Sequence, residues 1–258
     1  MQPEQYAKMR SEEKLHWWYR GNRKAVRALL ARRWREHRLP RWLDVACGTG
    51  GNLAEPERLI GRSAQAFGLD LEPAALALTR SRGVPHVVRA TLDDLPFAEG
   101  SFDLVTCFEA LYHQGVPNWP DALAGFARVL APGGFLLSRE PAFAALRGSH
   151  DVVVQGARRF RRAQLTAGMR AAGLEVVRCS YQNIVTFFPA LVIRSWQRRH
   201  GLAPAPEHQA DFAKGGGGLV GSLLTGWLAL EGHILRALPL PFGSSVICLA
   251  RRPVDHQT

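Results

Sequence analysis

Short apolar runs alternate with helix-length segments through the first two thirds of the chain. Five of these runs predict strands, at 42–47, 64–70, 86–91, 102–108 and 135–140. Between the last two, an amphipathic segment predicts a helix over 121–130, which Pro132-Gly133-Gly134 ends. Strands that alternate with helices imply a parallel sheet with right-handed crossovers. The pattern therefore predicts an α/β fold.

The flanking regions have a different, mainly helical pattern. Residues 11–38 predict one helix, with Ser11 as its N-cap and Pro40 after its end. After residue 145, the pattern predicts a helix (158–172), a strand (174–181), a basic amphipathic helix (187–198), a loop (201–218), an apolar helix (219–238) and a closing strand (244–251). We therefore divide the chain into an N-terminal helical cap (1–40), a core (41–183), a helical insertion or lid (184–242), and the final strand with the tail (243–258).

The first predicted strand leads into a glycine-rich turn, Asp44-Val45-Ala46-Cys47-Gly48-Thr49-Gly50-Gly51. Small residues at 46, 48 and 50 let backbone amides approach a bound cofactor, and a helix starting behind the turn offers its positive dipole end. Asp70, at the end of the second strand, can accept hydrogen bonds from the two hydroxyls of a ribose. The pattern predicts a nucleoside-containing cofactor at the carboxyl edge of the sheet. It leaves the cofactor open, because Ala46-x-Gly48-x-x-Gly51 also fits a degenerate dinucleotide fingerprint.

Four motifs, in order, resemble those of class I S-adenosylmethionine-dependent methyltransferases over residues 14–185. They are D-V-A-C-G-T-G, G-L-D-L, D-D-L-P-F-A-E-G-S-F-D-L-V and R-V-L-A-P-G-G-F-L-L. The resemblance implies a Rossmann-like, doubly wound, seven-stranded and mostly parallel sheet with helices on both faces, an antiparallel last strand and a helical insertion before it. It also implies methyl transfer from S-adenosyl-L-methionine to a small-molecule acceptor.

A closer resemblance, to a bacterial subgroup, rests on Trp17-Trp18-Tyr19-Arg20-Gly21 and on His150-Asp151 after the fifth strand. The subgroup suggests small molecules, sugars or lipid-linked intermediates as acceptors. An anionic or amphiphilic natural-product intermediate would fit the same description.

The resemblance also implies roles for individual residues. Asp44 would orient the turn amides and the methionine amino group, Gly48 and Gly50 would line the methionine moiety, and Asp70 would hold the ribose. Thr91 stands where many relatives have an acid, so adenine recognition there passes to a backbone carbonyl or to Asp93. The complete set of expected cofactor-binding residues is Tyr19, Arg20, Asp44, Ala46, Gly48, Gly50, Asn52, Asp70, Leu71, Thr91, Leu92, Asp93, Phe108 and Glu109.

Methyl transfer from a sulfonium is an in-line displacement, so positioning supplies most of the catalysis. A general base is needed only when the nucleophile carries a proton of high pKa, such as that of a hydroxyl. His113 and His150 are the candidate bases, because both are expected near the carboxyl edge of the sheet. No metal site is predicted.

Charge and composition add partners and exclude classes. The 258 residues are 47% hydrophobic, and this content excludes a disordered chain. Their net charge is +11. The four scattered cysteines and the polar start of the chain favour a cytoplasmic location. Arginines cluster at 158–162 and 194–199, and the basic helix at 187–198 suits peripheral contact with a membrane surface. Nucleic acid is a weaker interpretation of the charge, because no RNA-binding module is recognisable.

Two other functions fit the same residues. One is a protein of this fold that binds the cofactor without methylating, as a cyclase or a scaffold, because fold does not dictate chemistry. The other is a nicotinamide-dependent oxidoreductase, which the Ala-x-Gly-x-x-Gly overlap suggests. The oligomeric state is left open by the sequence.

Overall fold

A computed structural model of the chain describes residues 3–31, 39–200 and 218–254. Within these residues the strands are β1 (Arg41–Val45), β2 (Gln65–Asp70), β3 (His86–Arg89), β4 (Phe102–Phe108), β5 (Leu130–Pro141), β6 (Glu175–Gln182) and β7 (Ser245–Arg251). They form one sheet in the order β3-β2-β1-β4-β5-β7-β6. The first five strands pair in parallel, and β7 runs antiparallel between β5 and β6. The predicted Rossmann-like fold class is confirmed.

Helices cover both faces of the sheet. Their bounds are α1 (Pro3–Glu12), α2 (Trp17–Leu30), α3 (Pro56–Leu59), α4 (Pro73–Arg80), α5 (Trp119–Val129), α6 (Ser149–Val153), α7 (Arg162–Ala171), α8 (Ile184–Arg199) and α9 (Gly218–Ala237), with a 3-10 turn at Ala144–Leu146. Alternate residues of a strand face opposite sides. Val105 accordingly packs with α5 and α7 on one face, whereas Leu104 packs with α2, α4 and α9 on the other.

The order of the strands creates the crevice in which this class of sheet binds ligands. The chain moves outward from β1 to β2 and β3, then returns to β4 on the other side of β1. Loops that follow β1 and β4 therefore diverge at the carboxyl edge, and ligands bind at such a switch point. The glycine-rich turn follows β1 directly.

The N-terminal region differs from its prediction. The predicted single helix over 11–38 is wrong at its start, because Ser11 lies inside the last turn of α1 and the helix breaks at 13–16. His16, and not Ser11, caps the second helix, since its Nδ1 atom accepts a hydrogen bond from the Trp18 amide at 3.2 Å. Residues 32–38 of the prediction lie outside the described residues.

The predicted basic amphipathic helix forms as α8, but two of its arginines contact the neighbouring segment 145–151. Arg194 is buried and reaches Asp151, and Arg198 donates hydrogen bonds to the carbonyl groups of Ala145 and Arg147. Besides Arg198 and Arg199, the exposed large side chains of α8 are apolar: Val185, Phe188, Val192, Ile193 and Trp196. Of the predicted loop over 201–218, all but Gly218 lies outside the described residues.

Helix α9 packs along α2 and joins the insertion to the N-terminal helices. Among the described residues it is the one helix long and apolar enough to cross a membrane by length and composition, and a third of its apolar window is buried. Glycines allow the two helices to approach closely. A Cβ atom on Gly232 would lie 2.9 Å from both the Cβ atom and the carbonyl oxygen of Ala25, and a Cβ on Gly21 would meet Leu228.

We therefore expect Gly232→Ala to lower the free energy of unfolding by about 1–3 kcal/mol, because the added methyl group meets backbone atoms of α2 that cannot move aside. Gly226→Ala is the matched control on the same helix, since a Cβ atom there meets nothing within 4 Å. It should raise stability by about 0.5–1 kcal/mol through helix propensity. Urea denaturation of both variants measures the difference. Equal effects at the two positions would contradict the proposed contact.

Candidate active site

The turn after β1 has the backbone conformation that a close approach to a ligand requires. Ala46, Gly48 and Gly50 all have positive φ angles, of 57°, 57° and 71°. A side chain at Gly50 would meet Thr79 of α4 at 2.7–3.0 Å, so the turn is packed tightly from behind. The expected helix directly behind the turn is not there. Residues 51–54 form turns, and α3 begins only at Pro56. The donors available to a ligand are therefore the backbone amides of the turn, without the dipole of a long helix.

Asp44 is a buried carboxylate with neutral hydrogen-bond partners. The Thr106 hydroxyl donates to its Oδ1 atom at 2.5 Å, and the Asn52 side chain also bonds to it. Burial raises the pKa of Asp44 to about 7, and the negative charge of Asp70 acts in the same direction. These hydrogen bonds and the positive charge of Arg139 oppose the shift. Such a carboxylate is suited to a cationic ligand group, which would favour its ionised form.

Asp70 ends β2 and holds the turn to the neighbouring loop. Its Oδ2 atom accepts the Gly48 amide at 2.9 Å and its Oδ1 atom accepts the Glu72 amide at 3.0 Å. Burial raises the pKa of Asp70, and these two backbone amides oppose that shift. An ionised carboxylate offers about four acceptor positions, and the Leu71 amide also bonds to Asp70, so at least one position remains for a ribose hydroxyl.

The residues expected around adenine follow β2 and β3 and lie in an open region. Leu71 is 50% exposed, and Thr91 and Asp93 are also exposed. Leu92 differs, because its side chain is buried in the core on the α5 side of the sheet. If this segment contacts adenine, Leu92 therefore contributes its backbone, and the adenine assignments remain predictions.

A segment that the sequence analysis assigned only to the first turn of a helix lies against the cofactor turn. Glu13 is buried, accepts a hydrogen bond from the Thr49 hydroxyl at 2.6 Å, and forms an ion pair with Arg82 at 2.7 Å. In front of it, the Met9 Cε atom lies 3.1 Å from the position of a Cβ atom on Gly48. Sequence reasoning missed Glu13 because its partners are 36 and 69 positions away.

Aromatic residues and one ion pair form the wall beyond the turn. The guanidinium carbon of Arg139 lies 4.9 Å from the ring centre of Trp18 and 5.0 Å from that of Phe108. Its Nε atom donates to the Oε1 atom of Glu109 at 3.1 Å. The ring of Tyr19 packs edge-on against that of Trp18, with 5.1 Å between their centres. Burial raises the pKa of the Tyr19 hydroxyl, and the charges of Glu13, Glu12 and Glu109 act in the same direction. Trp18 and Tyr19 thus lie beside the strand end Phe108-Glu109, whereas Arg20 is exposed; the cofactor roles expected for these residues stay predictions.

Glu109 is partly exposed and is held in a strained backbone conformation next to a buried acid, Glu140. Its φ angle is 53°, in the left-handed region that residues other than glycine rarely occupy. Burial raises the pKa of Glu109, and Arg139 opposes the shift. Glu140 is fully buried and accepts the backbone amides of Leu111 and Tyr112, both at 3.2 Å. It therefore fixes the loop that carries Glu109 away from β4.

The two histidines predicted as bases are poorly placed for that role. The Nδ1 atom of His113 accepts the Gly115 amide at 3.1 Å, so its free lone pair is used within its own turn. Burial lowers the pKa of His113 further. His150 lies on the exposed side of α6, whereas its neighbour Asp151 is buried against Arg159 and Arg194. Both assignments remain predictions, and Glu109, which pairs with Arg139 beside Trp18 and Phe108, is a further candidate base.

Arg139 and Glu140 were missed, although the sequence carries a signal for them. They are adjacent charged residues at the end of the apolar strand F-L-L-S-R-E. Buried charges must be paired or hydrogen-bonded, and they cluster at functional sites. Two adjacent charged residues at the end of an otherwise apolar strand are therefore candidate site residues.

Comparison with known proteins agrees with this geometry. The family model "Methyltransferase domain" matches residues 43–138. A ubiquinone biosynthesis O-methyltransferase of Hahella chejuensis is 34% identical over 170 residues, which cover 58% of this chain and 68% of that relative. A phthiotriol/phenolphthiotriol dimycocerosates methyltransferase of Mycobacterium leprae is 40% identical over 115 residues, 43% of this chain and 40% of that relative. The chain belongs to the class I S-adenosylmethionine-dependent methyltransferases.

Solved structures show the same fold over nearly the whole chain. A chain from the complex between the Haloferax volcanii Trm112 methyltransferase activator and a methyltransferase aligns with a TM-score of 0.61. It is 20% identical, and the alignment covers 98% of this chain and 96% of that one. Family membership makes S-adenosyl-L-methionine the cofactor and removes the nicotinamide interpretation. The closer resemblance to the bacterial subgroup remains a prediction.

The residues present fit this cofactor. Its amino group is a cation that the buried Asp44 carboxylate complements, and the glycines at 48 and 50, both with positive φ, would let backbone amides approach its methionine part. Asp70 retains at least one acceptor position for its ribose. Among the described residues, no group of three or more His, Cys, Asp or Glu side chains could hold a metal ion.

The raised pKa of Asp44 gives cofactor binding a pH dependence. In the free protein Asp44 titrates at a pKa of about 7, and we expect the cationic amino group to bind its ionised form. The ionised fraction increases from about one tenth at pH 6 to about nine tenths at pH 8, so S-adenosylhomocysteine should bind about tenfold more tightly at pH 8. Isothermal titration calorimetry across this range measures the change.

Asp44→Asn is the control for this dependence. The amide keeps the size of the side chain but has no proton to lose, so binding should be weaker and nearly independent of pH between about 6 and 8. A wild-type affinity that is flat, or that increases toward pH 6, would show that the ionised Asp44 does not hold the amino group.

Proposed function

We propose that this protein transfers the methyl group of S-adenosyl-L-methionine to a hydroxyl of an apolar or amphiphilic small molecule. The observation that carries the proposal is the arrangement at the end of β4, where Glu109 pairs with Arg139, and the rings of Trp18 and Phe108 lie against the same guanidinium. Aromatic side chains are suited to an apolar acceptor, and a carboxylate is suited to take the proton of a hydroxyl.

The environment of Glu109 supports its role as the proton acceptor. A general base works best when its pKa is close to the operating pH, and burial raises the pKa of Glu109 toward that range. Its Oε1 atom is held by Arg139, and its Oε2 atom has no hydrogen-bond partner among the residues that the structure describes. One oxygen thus orients the carboxylate while the other is available to a substrate hydroxyl.

When bound, the cofactor supplies an electrophilic methyl group on a sulfonium. The residues of this chain supply alignment. Asp44 and the turn amides hold one end of the cofactor, and Asp70 holds its ribose. The Trp18 and Phe108 rings confine the acceptor, and Glu109 takes its proton. Because the leaving group becomes neutral, no anion needs stabilising, and positioning is the main contribution.

The names of relatives agree with an apolar acceptor. One relative is named for ubiquinone biosynthesis and another for phthiotriol and phenolphthiotriol dimycocerosates, and these compounds are lipid-soluble. The matched segments cover 68% and 40% of those two relatives, so the acceptor of this chain follows from its own site and not from their names.

A methyl-transfer assay tests this proposal. Wild-type protein with S-adenosylmethionine labelled in its methyl group should transfer label to members of a panel of phenols, hydroquinones and long-chain alcohols. Glu109→Gln should lower kcat about a hundredfold and leave the affinity for S-adenosylhomocysteine within about twofold, because proton transfer is lost and cofactor contacts are kept. Glu99→Gln, an exposed acid paired with Arg252, is the matched control.

Three outcomes would contradict parts of the proposal. Cofactor binding without any label transfer across the panel would favour a protein of this fold that does not methylate. Transfer only to amines or carbon atoms would overturn the hydroxyl acceptor. Full activity of Glu109→Gln would remove Glu109 as the base and return that role to a residue such as His113.

We further propose that the enzyme works at the surface of an anionic membrane, from the cytoplasm, where an apolar acceptor would be found. Helix α9 also exposes apolar residues, among them Leu219, Leu223, Trp227 and Leu230. The two helices meet where Glu231 accepts the amides of Asn183 and Ile184. Large exposed apolar areas mark interaction sites, and the net charge of +11 favours an anionic lipid over a neutral one.

Vesicle sedimentation tests this surface. The protein should pellet with vesicles that contain phosphatidylglycerol and much less with pure phosphatidylcholine, because both charge and apolar area contribute to binding. Phe188→Asp with Trp196→Asp should lower the affinity about tenfold or more. Val254→Asp is the control, since Val254 is also exposed but lies beside Gly133, away from α8 and α9. A stable dimer that protects α8 in solution, with no vesicle binding, would overturn the proposal.

A further inference from the structure

We infer that Arg139 binds an anionic oxygen group, a carboxylate or a phosphate, on the methyl acceptor. The inference rests on the proposed function, because it requires an acceptor next to the cofactor. It specifies the chemistry of that acceptor: besides its methylated atom, it carries an anion at a fixed distance from it.

The first observation is that most donors of a buried guanidinium are unused. Arg139 ends its strand pairing opposite Phe108 on β4, and its side chain is 7% exposed. A guanidinium has five N–H donors, of which the one on Nε goes to Glu109. The four donors on its two terminal nitrogens find no acceptor among residues 3–31, 39–200 and 218–254. Neither terminal nitrogen is among the fully buried polar atoms that lack a partner, so both keep contact with solvent and can be reached by a ligand.

Arg159 shows what a buried arginine with a structural role looks like in the same protein. Its side chain is 8% exposed, nearly the same as that of Arg139. Yet all three of its nitrogens donate, Nε and one terminal nitrogen to Asp151 at 2.8 and 3.1 Å and the other to the Ala142 carbonyl at 3.1 Å. Burial alone therefore does not explain the free donors of Arg139.

The second observation is that the neighbours of Arg139 fix the direction in which a ligand can bind. The rings of Trp18 and Phe108 lie 4.9 and 5.0 Å from its guanidinium carbon, and Glu109 takes the Nε edge. The edge formed by the two terminal nitrogens remains. Two parallel N–H donors on one edge match the two oxygens of a carboxylate or a phosphate, which is why arginine is the usual residue for such groups.

The third observation places this edge on the acceptor side of the site. The cofactor turn follows β1 and the ribose acid ends β2, whereas Arg139 is the last residue of β5 that pairs with β4, and β5 lies beyond β4 in the sheet. Two strand spacings of about 4.8 Å separate β1 from β5 in the sheet. The positive charge of Arg139 still acts on Asp44, so the two are close enough to share one site. An anion at Arg139 would therefore belong to a molecule next to the cofactor.

Calorimetry with small probes tests the inference on protein saturated with S-adenosylhomocysteine. Benzoate and phenyl phosphate carry the two anions, and benzyl alcohol is the uncharged counterpart of benzoate. We expect at least one anion to bind wild-type protein tenfold or more tightly than benzyl alcohol. The ratio of benzoate to phenyl phosphate affinity shows which anion the site prefers.

At pH 8, where Asp44 is mostly ionised, Arg139→Met keeps the length of the aliphatic side chain and should remove this preference. Binding of benzyl alcohol and of S-adenosylhomocysteine should stay within about twofold at that pH. Arg139→Lys keeps the charge without the paired donors and should give an intermediate loss. Arg80→Met, on the exposed side of α4, removes an equal charge elsewhere and should change nothing. Thermal unfolding of each variant confirms that it is folded.

The outcomes separate this inference from the proposed function. Equal binding of benzoate and benzyl alcohol by wild-type protein, or an unchanged preference in Arg139→Met, overturns the anion site even if methyl transfer is observed. A loss of S-adenosylhomocysteine affinity in Arg139→Met, with anion binding unaffected, would assign Arg139 to the cofactor carboxylate instead. Failure of wild-type protein to bind S-adenosylhomocysteine would overturn the proposed function, and the probes would then be titrated into unliganded protein.

Discussion

Buried carboxylates that need hydrogen-bond donors organise this structure around its site. Asp70 accepts the amides of Gly48 and Glu72, and Glu140 accepts those of the loop after β4. Glu231 does the same for the start of α8. A carboxylate removed from water is tolerated only when such donors surround it. Each acid therefore fixes a loop that would otherwise be free to move, and these loops carry the cofactor turn, Glu109 and the insertion.

The same need for hydrogen-bond partners explains why some arginines are used within the fold. A net charge of +11 suggests an exposed basic surface, and the arginines at 158–162 look like one in the sequence. In the structure, Arg158 donates to the carbonyl groups of Leu111 and Val116, and Arg159 pairs with Asp151. These cations hold loops together and are not available to a partner. Arg139 differs from them because its terminal nitrogens have no such acceptor.

How much of the site could be predicted depended on the distance between partners along the chain. Asp44, Gly48 and Gly50 belong to one local pattern, and Asp70 ends the next predicted strand, so strand spacing alone brings them together. Glu13 and Arg139 could not be placed in this way, since their contacts join the N-terminal region to the turn after α4, and β5 to α2. His113 shows a different difficulty. Its chemistry suits a base and it follows β4, but its Nδ1 lone pair accepts the Gly115 amide, which the sequence does not reveal.

The sequence by itself determined the α/β architecture, the cofactor turn and the acid at the end of β2, because periodic apolar runs and a glycine pattern depend on neighbours a few residues apart. Only the tertiary structure decided which side of α8 is exposed, what covers the turn, and which arginines are occupied. Those outcomes depend on partners tens of residues away, and a buried charge reveals its role only when its surroundings are known. The apolar outer side of α8 and the free edge of Arg139 are both of this kind.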